Sequence, residues 1–213
     1  MITGGRGTNI FENYLKLTLE NSKKILDVGT SQRFAKELKP YENLFEGKEY
    51  LAGGYNPKMD FGDYNCDFHT DIENLPFNND EFDSIICLEV IEHVSNPFKA
   101  LEEIYRVLKP GGKILLTAPF LHGYHGKTKD KIINHAHDEY PDYFRFTHQG
   151  LELLFKNFTN VTIEVLNGPI EMLITNARLF KLLKNQIIRK FIDLIDFPEV
   201  SRATTRHLVY AIK

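Results

Sequence analysis

No stretch of this chain stays apolar for the 18 or so residues that a membrane-spanning helix needs, and its start, MITGGRGTNIFENY, has no apolar leader core. The sequence therefore predicts neither an integral membrane segment nor export, and a cytoplasmic location is expected. Cysteine is scarce: only Cys66 and Cys87 are present, both within or beside apolar runs, which argues against a disulfide framework and for reduced, buried thiols. Basic residues are not in surplus either. The formal net charge is −3, which supplies no global positive field, so nucleic acid is not an expected partner. Internal repeats and low-complexity runs are missing as well, which leaves the order of periodic segments as the main architectural signal.

What is present fits one core. A chain of 213 residues with 42% hydrophobic and 26% charged content is expected to form a single domain over residues 1–213, with elaborations at 1–22 and 169–196. Thr8 is read as the cap of a helix running to about residue 20. KILDV reads as a buried strand, residues 32–39 as a short helix ended by Pro40, and KEYLAG as a second strand. YNCDFH is a weak third strand, FDSIICLEV a strong fourth, NPFKALEEIYRVL a capped helix and GKILLTAP a fifth strand opened by Gly111 and Gly112. THQGLELLFKNF is a helix capped by Thr147, VTIEVL a sixth strand and RHLVYAI a seventh. Alternation of this kind predicts an α/β fold with a parallel sheet covered by helices on both faces.

The turn after KILDV is the place where such a sheet binds a ligand. A dinucleotide-binding turn would read GxGxxG, but the matching positions hold Gly29, Ser31 and Phe34, which argues against NAD and FAD. A ligand that brings no phosphate asks less of the turn. Asp27 can take a hydrogen bond or a cationic amine, Gly29 admits close approach, and Ser31 can cap the next helix.

ILDVG and the block TDIENLPFNNDEFDSIICLEVIEHVSNPFKALEEIYRVLKPGGKILLTAPF resemble the class I S-adenosylmethionine-dependent methyltransferases, over roughly residues 22 to 165. The resemblance implies a Rossmann-like doubly wound sheet of seven strands, the last antiparallel, with a helical insert before it. S-adenosylmethionine is the implied cofactor. By the same resemblance Asp27 and Gly29 face its methionine part, Asp71 accepts from the adenine amino group, and Ile72 offers its amide to the ring. Leu88 and Glu89 line the methionine end, and His93 lies near that floor. Two departures stand out. Ser31 and Arg33 occupy places where further glycines are usual, and Gly54 stands where an acid normally takes the ribose hydroxyls, unless Asn56, Asp60 or Asp63 substitutes. A degenerate fold that acts as a binding or regulatory module is the alternative reading.

Residues 119 to 146 have little periodicity and carry His122, His125, His135 and His137 among many aromatics, as functional excursions do. In the family this segment contacts the acceptor, here expected to be a small molecule or a saccharide. His125 is the candidate general base, with Tyr124, Asp142, Tyr143 and Arg145 shaping the acceptor pocket. Arg145 has a plainer reading as the partner of Asp142 or Asp138, pinning the loop. The histidine spacing could suit a metal, but the expected metal content is none. The apolar and basic insert 169–196 reads as an accessory helix pair, with a homodimer surface as the second reading, ahead of membrane contact.

Overall fold

β1 (Lys24–Val28), β2 (Glu49–Gly54), β3 (Phe68–His69), β4 (Phe82–Leu88), β5 (Leu108–Pro119), β6 (Thr159–Val165) and β7 (Arg206–Ile212) form one sheet in the computed structural model. Their order is β3-β2-β1-β4-β5-β7-β6. The structure describes residues 6–30, 33–34, 37–54, 66–124, 141–168, 170, 173, 187–188, 192 and 204–213. Pairings among β1 to β5 are parallel, and β7 runs antiparallel to both β5 and β6. The doubly wound fold expected from the sequence, with an antiparallel seventh strand, is what the chain adopts.

The composition of the strands explains their place. Ile25, Leu26, Ile85, Ile86, Leu115 and Leu116 are fully buried, because strands covered on both faces gain from apolar side chains in either direction. On one face lie α1 (Arg6–Leu19) and a 3-10 helix (Lys39–Phe45), which bring Phe11, Leu15, Leu38 and Phe45 onto the sheet. The other face is covered by α2 (Pro97–Val107) and α3 (His148–Leu154) through Leu101, Ile104, Leu151 and Phe155. Asn96 caps α2 by accepting from the Lys99 amide at 3.1 Å, and Thr147 caps α3 by accepting from Gly150 at 3.0 Å. No helix among the described residues is long and apolar enough to cross a membrane.

Three boundaries differ from the sequence reading. Thr8 does not cap α1, which already includes Arg6 and Gly7; Gly7 seats so closely on the Leu166 carbonyl that tertiary packing carries the helix past the local start signal. Of the short helix expected at 32–39, residues 33, 34, 37 and 38 are described and lie in turns, and the helical element there is the 3-10 helix Lys39–Phe45, with Pro40 in its first turn. Proline is tolerated there because the amide it lacks would have no helical partner, so it opens this element instead of ending one. β5 begins at Leu108, directly after α2, and absorbs the KPGG segment through a register shift opposite Phe82 and Ser84. Of the insert 169–196, only residues 170, 173, 187, 188 and 192 are described, each helical; the accessory-pair and dimer expectations otherwise lie outside the described residues.

Candidate active site

The strand order reverses between β1 and β4, and the turn after β1 lies at that reversal, where open parallel sheets hold their ligands. Gly29 pivots the turn at a φ of 82°. A Cβ built there would stand 2.5 Å from both methyls of Val90, so the backbone packs directly against the segment after β4. The amides of Gly29 and Thr30 donate to the Gly53 carbonyl on β2 at 2.7 and 3.1 Å. They are engaged within the sheet and are not available to a pyrophosphate in this arrangement. Ser31 lies outside the described residues.

Beside Gly29 opens a cleft of about 200 Å³, lined by Val28, Gly29, Asp71, Ile72, Val90 and His93 among others, with Pro141 and Tyr143 along one side. Pockets for whole drug-sized ligands run to roughly 300–1,000 Å³, so this cleft suits one portion of a larger ligand. Asp71 is exposed and follows β3. Its Oδ1 accepts from the Glu73 amide at 2.9 Å, which fixes the carboxylate in an Asx turn. The Ile72 side chain is buried, and its amide makes no hydrogen bond to a described residue. An acceptor for an exocyclic amine and a donor for a ring nitrogen thus stand side by side, as a purine edge requires.

The wall opposite is tied down by Glu73. Its Oε1 accepts from Ser95 Oγ at 2.7 Å and from the Asn96 amide at 3.0 Å. Desolvation pushes the Glu73 carboxyl upward, but these hydrogen bonds and Lys99 outweigh it and hold the group below its ordinary value. His93 Nδ1 lies 2.5 Å from the Pro141 carbonyl, and the Glu92 carbonyl accepts from the amides of Tyr143 and Phe144 at 2.8 and 3.2 Å. The chain returning from the long excursion is therefore strapped to the 3-10 turn Ile91–His93 along the edge of the cleft.

Asp27 stands behind the turn, 3% exposed. Tyr50 Oη on β2 donates to its Oδ2 at 2.5 Å, and Phe34 stacks on the Tyr50 ring with centroids 4.5 Å apart. Arg33 donates to the Tyr50 carbonyl at 3.2 Å and pairs with Asp67. Burial pushes the Asp27 carboxyl up to about 7, since an ionised carboxylate loses its hydration there. Tyr50 is pushed up too, by burial and by the charge of Asp27. Asp27 is not among the residues that line the described cleft. No sequence signal marked Tyr50 as its partner, because an aromatic residue in a strand reads as core.

Leu88 at the end of β4 packs toward the α1 face. Glu89 comes next, in the left-handed region at a φ of 53°. Its amide is shared between the carbonyl and Oγ1 of Thr117 on β5, at 3.2 and 3.1 Å. At Gly54 a Cβ would lie 2.7 Å from Cys66 Sγ and 3.1 Å from the Thr30 carbonyl. The position where the resemblance leads one to expect a ribose-binding acid has no room for a side chain in this conformation. Asn56, Asp60 and Asp63 lie outside the described residues.

Among the expected acceptor residues, Tyr124 and Tyr143 are exposed, whereas the Asp142 side chain is fully buried in a two-pronged pair with Arg145, at 2.5 and 2.6 Å. Arg145 also donates to the carbonyls of His122, Gly123 and Phe144 at 2.9, 3.0 and 2.7 Å. It clips the segment after β5 to the segment before α3. His125, His135 and His137 lie outside the described residues. Arg145→Ala strands a buried carboxylate and frees three carbonyls. The expected cost in urea unfolding is about 2–3 kcal/mol, the low side for a buried pair because the guanidinium is 25% exposed. A midpoint equal to wild type would show that the clip does not hold this edge together.

Comparison with known proteins agrees with this geometry. Residues 26–116 match the family model described as a methyltransferase domain. A demethylmenaquinone methyltransferase of Clavibacter sepedonicus is 43% identical over 76 residues, covering 35% of this chain and 28% of that protein. A tRNA U34 carboxymethyltransferase of Campylobacter curvus is 44% identical over 50 residues, covering 24% of this chain and 17% of that protein. The chain thus spans less than a third of the length of these curated relatives. The crystal structure of a SAM-dependent methyltransferase from Archaeoglobus fulgidus superposes with a TM-score of 0.54 at 16% identity, covering 97% of this chain and 92% of that one.

Proposed function

We propose that the chain, whose residues 26–116 match a methyltransferase domain, is a class I S-adenosylmethionine-dependent methyltransferase that transfers a methyl group from S-adenosylmethionine to a small-molecule or saccharide acceptor. The observation that carries this reading is the cleft at the strand reversal, which Gly29, Asp71 and Ile72 line together. S-adenosylmethionine supplies a methyl group on a sulfonium, transferred as the acceptor's lone pair forms the new bond to carbon and the carbon–sulfur bond breaks. The protein's part is to bind, orient and exclude water. Asp71 and Ile72 hold the adenine edge, Val90 and Val94 wall the cleft, and Gly29 lets the rest of the ligand pass close to the backbone toward Leu88 and Glu89. Ser31 and Asp27 serve the methionine end, and His93 fixes the floor by holding Pro141.

On the acceptor side Tyr124 and Tyr143 offer exposed rings, Asp142 and Arg145 fix the loop that presents them, and His125 takes the acceptor's proton. The tRNA named for one relative belongs to that relative; a net charge of −3 favours a small acceptor here.

Asp71→Ala tests the adenine contact. Charge-assisted hydrogen bonds contribute about 1.5–3 kcal/mol, so S-adenosylhomocysteine affinity measured by calorimetry is expected to fall about 10- to 100-fold. Stability is expected to fall by about 0.5–1.5 kcal/mol, the worth of the lost Asx-turn hydrogen bond to the Glu73 amide. Equal affinity in variant and wild type would sink the assignment. The crowding at Gly54 favours a second reading, a fold that keeps its shape and has lost turnover. Submillimolar binding of S-adenosylmethionine by wild type supports the enzyme, and no binding supports the second reading.

A further inference from the structure

Arg206 opens β7 at the carboxyl edge of the sheet and is 9% exposed. Its guanidinium makes no hydrogen bond to a described residue, and its ion-pair partner among the described residues is Glu89, whose Oε1 lies 4.0 Å from Arg206 Nη1. That oxygen is itself buried without a hydrogen-bond partner among the described residues. A guanidinium carries five N–H donors, and buried polar groups are nearly always satisfied. Arg145, by contrast, spends its donors on Asp142 and three carbonyls. Among the described residues at this edge, Arg206 is the arginine whose fork is unspent, its side chain 10% exposed and so still within reach of a ligand from solvent.

Both members of the pair sit on rigid backbone. Arg206 pairs with Pro119 of β5, its amide donates to Thr204 Oγ1 at 3.2 Å, and its carbonyl accepts from Leu166 at 3.3 Å. Glu89 is held by Thr117 in its strained conformation. Position matters as much as rigidity. From β1, which leads into Gly29, three strand spacings through β4 and β5 lead to β7, roughly 14 Å at about 4.8 Å each. The adenine contacts lie on the opposite flank, after β3. Arg206 therefore stands past the tip of β4 on the side from which a second substrate would approach the transferable methyl.

We propose that Arg206 is an anion subsite that binds a carboxylate or phosphate group of the methyl acceptor, with Glu89 beside it restricting entry to groups that can outcompete its own charge. The identity of the anion's carrier as the acceptor rests on the cofactor reading; the anion site does not. A planar fork matches two oxygens of either group, which a lysine could not do.

The test titrates wild type, Arg206→Gln and Glu89→Gln separately with inorganic phosphate, acetate and S-adenosylhomocysteine, followed by calorimetry. Saturable binding of phosphate or acetate is expected in wild type, and the preferred anion tells a phosphorylated from a carboxylated acceptor. Arg206→Gln is expected to weaken it about 10- to 100-fold while leaving S-adenosylhomocysteine affinity within about twofold. Glu89→Gln is expected to tighten anion binding several-fold, which keeps the proposal testable should Arg206→Gln fail to fold. No saturable anion binding in wild type, or affinities indifferent to both substitutions, overturns it. So does a parallel loss of S-adenosylhomocysteine, which would hand Arg206 to the cofactor. Wild type that binds the anion but not S-adenosylhomocysteine keeps the anion site and ends the cofactor reading.

Discussion

Gly29→Val is expected to remove S-adenosylhomocysteine binding entirely from calorimetric detection, a loss of more than about 100-fold. Two effects combine. The residue sits at a φ of 82°, a conformation that costs a β-branched side chain about 1–3 kcal/mol. Its first carbon would then lie 2.5 Å from both Val90 methyls, so either the turn or the segment after β4 must move. Both form walls of the cleft, and a shift of about 1 Å is enough to spoil alignment. Gly47 separates the two effects. It has a φ of 73° and nothing within 4 Å of where a Cβ would stand, so Gly47→Val bears the backbone cost without touching the cleft. Gly47→Val should lose stability and keep its ligand. A Gly29→Val protein that binds as wild type does would show that the β1 turn is no part of the cofactor site.

The sheet was legible because its signals are local and redundant. ILDV, SIICL and ILLTAP are apolar at most positions without alternation, the pattern of strands buried on both faces. Boundaries were less legible where tertiary contact overrides local preference. Pro40 looks like a helix stop and is a helix start, and Thr8 looks like a cap and lies inside the helix, because Leu166 receives Gly7. The Asp71 end of the cleft could be named from sequence since LPF fixes the residue after a strand. Tyr50, Asp67 and Arg206 could not. Their roles depend on which strand lies beside which: β2 brings Tyr50 to Asp27 across 23 residues, and β7 brings Arg206 to Glu89 from the far end of the chain. Spacing along the chain carries no trace of such pairs.

The same neighbourhood gives the largest expected pH effect. Asp27 has its carboxyl raised from 3.8 to about 7, chiefly by burial, with the Tyr50 hydroxyl pulling the other way. Between those two values the folded chain keeps a proton that the unfolded chain releases. Unfolding in that window is therefore accompanied by proton release and grows easier as pH rises. The favourable contribution is complete below about pH 4 and is lost progressively up to about pH 7, beyond which both states are ionised and the curve is flat. At about 1.4 kcal/mol per unit, the shift from 3.8 to about 7 amounts to roughly 4 kcal/mol. Asp27→Asn has no proton to release and keeps an oxygen for Tyr50. Urea unfolding of wild type and variant from about pH 4 to about pH 8 should yield a stability difference that moves in the variant's favour by up to that amount and levels off above about pH 7, other titrations cancelling. Tyr50→Phe should extend the slope to higher pH, since it removes the hydrogen bond that favours the ionised form. Parallel profiles for wild type and Asp27→Asn would mean that Asp27 ionises as freely in the fold as out of it. The burial of a carboxyl behind the β1 turn would then cost nothing, and with that cost goes the physical ground for regarding Asp27 as a group retained for a cationic ligand at the expense of stability.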